Sequence, residues 1–114
     1  MHSLGFYRNR NEELCVQGIP IRDLTKKYGT PLFIYDSGLM KERYYAFLDA
    51  VANVNGNIHY AVKANDALAI VNYFTKLGCG ADIVSIGEFE KCIAAGMSPQ
   101  KIIFSGVGKE NSEI

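Results

Sequence analysis

Four runs of apolar, β-favouring residues recur along this chain, at 32–35, 58–62, 81–84 and 102–104, with starts 26, 23 and 21 residues apart. The stretches between them carry a helical period instead. From Ser37 to about Ala52, the residues Met40, Tyr44, Phe47, Leu48 and Val51 share one stripe, with Ser37 placed as the N-cap. From Asp66 to Leu77, Ile70, Phe74 and Leu77 line up and Gly78 supplies a C-terminal stop. From Gly87 to Ala95, Phe89, Cys92 and Ile93 point inward, and Gly96 and then Pro99 come next. A fourth helix is expected to begin near Lys109. Strands alternating with helices at this spacing predict βαβ units and a parallel sheet.

Two architectures accept such a pattern. A doubly wound open sheet should carry its glycine-rich phosphate fingerprint directly after the first strand. Residue 35 is succeeded by Asp36-Ser37-Gly38-Leu39, which is not that fingerprint. A (β/α)8 barrel needs about 200 residues or more, so four units here make the N-terminal half of one. The barrel is the favoured reading. Ahead of it, residues 5–8 and 13–16 flank an Asn/Arg-rich turn and predict a short hairpin. Pro20 then leads a short helix over 21–28, closed by Gly29. The expected organisation is an N-terminal segment over 1–30 and a half-barrel over 31–114.

Composition excludes several function classes. The 12 basic and 12 acidic side chains cancel, which removes the clustered basic surplus of a nucleic-acid binder. No apolar run approaches the roughly 18–20 residues of a membrane span. The first residues lack the basic-then-apolar order of a secretory signal. Cys15, Cys79 and Cys92 are odd in number and lack metal spacing, as expected of reduced thiols in a cytoplasmic protein. A length of 114 residues by itself fits one domain.

Lys63 is the most informative residue. It ends an otherwise apolar strand in His59-Tyr60-Ala61-Val62-Lys63-Ala64-Asn65. In a barrel, function gathers at the carboxyl ends of strands. A lysine partly stripped of water there has a lowered pKa and attacks carbonyl carbon as a free amine. The plainer reading, a lysine that marks where the strand leaves the core, stands beside it on position alone. Other candidates carry less chemistry. Gly106-Val107-Gly108-Lys109 lacks the spacing and the Ser or Thr of a P-loop, and reads as the turn after the fourth strand. His59 faces the opposite side of its strand from Tyr60, as a packing or surface residue. Cys79 lies in a Gly-Cys-Gly turn and Cys92 reads as a small core residue.

Three ordered motifs carry a family resemblance. They are Tyr60-Ala61-Val62-Lys63-Ala64-Asn65, then Gly78-Cys79-Gly80-Ala81-Asp82-Ile83-Val84-Ser85-Ile86-Gly87-Glu88-Phe89, and then Ala94-Ala95-Gly96 with residues 101–109. Together they resemble the pyridoxal-phosphate decarboxylases acting on basic amino acids, a group with an alanine-racemase-like barrel, and within it the diaminopimelate decarboxylases. The resemblance runs from about Ile19 to the last residue. It implies pyridoxal 5'-phosphate as cofactor, held as a Schiff base by Lys63, and loss of carbon dioxide from meso-2,6-diaminopimelate to give L-lysine. It also implies that Asp82 and Glu88 line the cofactor side of the pocket. Against that, Asp82 lies near the start of its strand. Ser85-Ile86-Gly87-Glu88 is equally a capping box that opens the third helix.

The resemblance carries further expectations. The remainder of a barrel and a C-terminal β-domain, which the segment before Pro31 would join, lie beyond these residues, as do the phosphate and substrate sites. The 114 residues alone are then expected to be inactive and to self-associate, and the whole protein to act as a homodimer on a small amino-acid substrate. Two rival readings remain open at this point. One is an ornithine, arginine or carboxynorspermidine decarboxylase; the other is a non-enzymatic pyridoxal-phosphate-binding protein serving cofactor homeostasis.

Overall fold

A computed structural model describes residues 5–114; the start of the chain, residues 1–4, where a secretory signal would begin, lies outside the described residues. The chain divides into two compact units, over 1–47 and 48–114.

In the first unit, the expected hairpin is present and gains a third strand. Strand β1 (Phe6–Arg8) pairs antiparallel with β2 (Leu14–Val16), and β2 pairs with β3 (Ile19–Pro20). Asn9 shapes the first turn, its side-chain oxygen accepting from the amides of Asn11 and Glu13 at 2.9 and 3.0 Å. The second turn has two central residues, Gln17 and Gly18, both at positive φ (48° and 83°). That is the type I′ geometry whose twist suits a tight hairpin. Helix α1 (Ile21–Tyr28) begins after Pro20 and stops at Gly29, whose φ of 83° is open to glycine. Both bounds agree with the sequence reading.

Residues 32–35 do not form the expected first strand. They are free of helix and strand structure, and neither three-stranded sheet takes them as a strand. Helix α2 (Ser37–Ala50) comes next. Its cap is Asp36 rather than Ser37: the Asp36 Oδ1 accepts from the amides of Gly38 and Leu39 at 2.8 and 3.1 Å. The other oxygen accepts from Gly5 N at 2.6 Å, and Gln17 also donates to Oδ1, so one buried carboxylate joins the first strand, the second turn and the start of α2. Of the expected α2 stripe, Tyr44 is buried whereas Phe47 and Leu48 are exposed.

The second unit is the parallel portion. Strands β4 (His59–Ala61), β5 (Gly80–Ile83) and β6 (Ile102–Phe104) pair in that order, with α3 (Leu68–Leu77) and α4 (Ile86–Ala94) between them in sequence. Strand alternation sorts the side chains. Ala81 and Ile83 join Val62, Val71, Cys92, Ala95 and Met97 in one buried cluster, and Tyr60, Phe89, Ile102 and Phe104 pack against it. The opposite face carries His59, Ala61, Gly80, Asp82 and Ile103, side by side by register. That face mixes polar and apolar residues. Within α3 the fully buried side chain is Val71, and Ile93 of α4, expected inward, is 39% exposed because it stands a quarter-turn from Cys92. Gly78 ends α3 in the left-handed region at φ 94°, and the Cys79 amide returns to Phe74 O at 3.1 Å. Near Lys109 there is no α-helix; a single 3-10 turn covers Asn111–Glu113.

Candidate functional site

Lys63 stands where the strand pattern places it. Directly after β4 the chain enters a 3-10 turn, Val62–Ala64, and the three side chains part company: Val62 is fully buried while Lys63 and Ala64 are exposed. Alternation thus sinks one residue of the turn as an anchor and raises the next into solvent at the carboxyl end of the sheet. The expected partial removal of water from Lys63 is not seen: nothing among the described residues covers it. Its amine is accessible.

The turn is tied on its underside. Tyr60 lies on the helix-covered face, its ring stacked on Phe74 at 4.4 Å and 17° between planes. Its hydroxyl donates to the Asn65 carbonyl at 3.0 Å. The Asn65 amide donates to Val62 O at 3.1 Å, and its side-chain oxygen accepts from Ala67 N at 3.0 Å. The first and last residues of the Lys63 motif therefore meet across it. Their separation of five, and that Tyr60 faces the opposite side of the strand from His59, were legible in the sequence; which face is the core, and the closure of the turn, were not.

Asp82 and Glu88 behave differently from each other. The strand begins one residue earlier than expected, at Gly80, so Asp82 stands beside Ala61, nearer the carboxyl end than the sequence suggested. It lies on the face away from the apolar cluster. Its Oδ1 is buried with no hydrogen-bond partner. An unsatisfied buried carboxylate oxygen is costly and marks a place where a donor is wanted. Glu88 instead turns back on its own loop: its Oε2 accepts from Val84 N at 2.7 Å while Ser85 Oγ accepts from Glu88 N at 3.2 Å. The capping box is formed, one residue longer than usual on its return arm.

The remaining candidates are accounted for by structure. Lys109 donates to Gly106 O at 2.7 Å and lies 4.9 Å above the Phe104 ring, as part of the turn after β6. Burial pushes the thiols of Cys79 and Cys92 up from their ordinary value, and all three cysteines are free. Among the described residues no His, Cys, Asp or Glu group could hold a metal ion. No helix there is long and apolar enough to cross a membrane.

Known proteins share both this sequence and this fold. The family profile described as "Pyridoxal-dependent decarboxylase, pyridoxal binding domain" matches residues 37–114. A diaminopimelate decarboxylase of Vibrio cholerae is 41% identical over 109 residues, covering 96% of this chain and 26% of the relative. That of Neisseria meningitidis serogroup B is 43% identical over 101 residues, covering 89% and 24%. The crystal structure of a diaminopimelate decarboxylase from M. jannaschii in co-complex with L-lysine superposes with a TM-score of 0.90 at 30% identity, covering 98% of this chain and 27% of that one. The chain thus spans about a quarter of the length of the curated relatives it matches. A lysine/ornithine decarboxylase from Vibrio vulnificus, at 24% identity, shares the fold. The sequence reading of a barrel portion that uses pyridoxal phosphate agrees with these matches, and the chain belongs to the pyridoxal-dependent decarboxylases, of whose pyridoxal-binding domain it forms part.

Proposed function

We propose that these residues serve the decarboxylation of meso-2,6-diaminopimelate to L-lysine, with Lys63 as the residue that holds pyridoxal phosphate. The observation that carries the reading is the accessible Lys63 amine on a tied turn at the carboxyl end of a parallel sheet. Identity of about 40% along almost the whole chain to diaminopimelate decarboxylases supports the substrate.

The residues present suit an aldehyde cofactor. Lys63 offers a primary amine that can join its carbonyl carbon. Asp82 offers a buried carboxylate oxygen still lacking a donor, which suits a protonated nitrogen. When bound, pyridoxal phosphate supplies the electron sink that lets a carboxylate leave as carbon dioxide. Lys63 tethers, and its exposed position lets an incoming amine take its place. Asp82 orients from the face of the sheet opposite the apolar cluster. Glu88 acts at one remove, keeping the 84–88 loop closed through its bond to the Val84 amide. Self-association of the 114 residues alone belongs to the same reading, supported by the outer edges of β4 and β6, which pair with no further strand among the described residues; homodimerisation of the whole protein is proposed on the family resemblance.

Borohydride reduction in the presence of pyridoxal phosphate, followed by mass mapping, tests the assignment. Label is expected at Lys63 and lost in Lys63→Ala. Label spread evenly over the lysines, or concentrated elsewhere, would overturn it. Carbon dioxide release by the whole protein, measured side by side with meso-diaminopimelate, ornithine and arginine, tests the substrate. Preference for ornithine or arginine would reject it.

A further inference from the structure

We propose that Tyr60 is the positioning residue of the Lys63 turn, its hydroxyl fixing the backbone that presents the lysine amine. The inference rests on the reading of Lys63 as the cofactor-holding residue. Three observations carry it. The ring of Tyr60 is held from below by Phe74 of α3, so the direction of its hydroxyl is set by the core and not by solvent. That hydroxyl bonds to the Asn65 carbonyl, on the far side of Lys63 from Tyr60's own backbone. Asn65 in turn fixes the turn it closes, through Val62 O behind and the Ala67 amide ahead.

The stack on Phe74 would be served equally well by phenylalanine. What tyrosine adds is the bond. A three-residue turn on an exposed strand end has backbone freedom to lose when its lysine is captured. A bond that orders the turn beforehand removes part of that cost from the binding step. Lys63 keeps its flexible four-carbon stem, so the amine remains mobile enough to exchange one partner for another. Tyr60 therefore acts through backbone geometry and not by contact with the reacting atoms.

Tyr60→Phe keeps the stack and removes the bond. Amide hydrogen exchange over residues 62–65 in the whole protein is expected to quicken about fivefold, and pyridoxal-phosphate loading at Lys63 to weaken by about the same factor, the size a single hydrogen bond gives. Met97→Ala, which thins the buried cluster with the Tyr60 stack and hydroxyl both in place, separates lost positioning from lost stability. It should lower the melting temperature more than Tyr60→Phe does and weaken loading less. Unchanged exchange in Tyr60→Phe overturns the proposal, as does faster exchange with loading equal to that of the parent chain. A parent chain that takes no label at Lys63 defeats the underlying reading instead, a result separate from a Tyr60→Phe chain that labels normally.

Discussion

His59 and Gly80 stand opposite each other in the β4–β5 register, and the imidazole occupies the space a side chain at position 80 would need. A Cβ placed there would lie 2.7 Å from His59 Nε2 and 2.6 Å from the Lys101 carbonyl oxygen. Real Cβ contacts do not come so close, and one of the two neighbours is backbone. The glycine between Cys79 and Ala81 is therefore a packing requirement of the face opposite the apolar cluster.

Gly80→Ala is accordingly expected to destabilise the chain by about 1–3 kcal/mol, the usual range for overpacking. His59→Ala should recover part of that loss in the double variant, because the flexible partner is gone. It should not recover all of it, because the Lys101 carbonyl stays. Thermal or denaturant unfolding of the four species, treated as a double-mutant cycle, checks this. A neutral Gly80→Ala, or strictly additive effects, would show that the strands simply move apart.

The Asp36 carboxylate gives the first unit an acid limit. Burial alone would raise its pKa, but the bonds from Gln17 and from the Leu39, Gly5 and Gly38 amides together outweigh burial and hold it below the ordinary value. A carboxyl depressed on folding stabilises the folded state fully above its unfolded pKa. It loses that contribution as pH falls through the folded value. Stability should therefore decline on acidification below about pH 4, the unfolded carboxylate range. Asp36→Asn, which keeps a capping oxygen and drops the charge, should flatten that decline. The exposed Asp66, depressed by its bond to Lys91, gives the same sign but is screened in about 1 M salt. Denaturant midpoints against pH at high salt isolate Asp36. An unchanged acid limb in Asp36→Asn would reject its role.

These two sites mark where local pattern was informative and where it failed. Helix α1 was legible because Pro20 and Gly29 act within a residue of its ends. The order of strands and helices in the second unit was legible because period depends on neighbours in sequence. Residues 32–35 have strand composition without strand structure, since a ladder depends on a partner chain segment that composition does not reveal. Asp36 and Ser37 are adjacent residues of equal capping type, and only the bonds to Gly5 and Gln17 select the first. Strand β3, at two residues, is too short to show alternation. At the candidate site, Lys63 could be picked out by its place at a strand end. The pairing of Tyr60 with Asn65 and the unpartnered oxygen of Asp82 are tertiary facts.

Glu88 separates a capping role from one in the pocket. Ser85→Ala should cost about 1 kcal/mol, since it strips the acceptor from the Glu88 amide at the start of α4. Glu88→Ala should cost a similar amount by freeing the Val84 amide and removing an acidic group from the first turn. Glu88→Gln retains an acceptor for that amide and should cost only a few tenths of a kcal/mol. Because the carboxylate is engaged by its own loop, pyridoxal-phosphate labelling at Lys63 should survive Glu88→Gln unchanged, when both are scored on protein of confirmed fold. Loss of label in Glu88→Gln at parental stability would show that the charge itself reaches the cofactor, and the loop bond would then be a resting arrangement of a pocket residue.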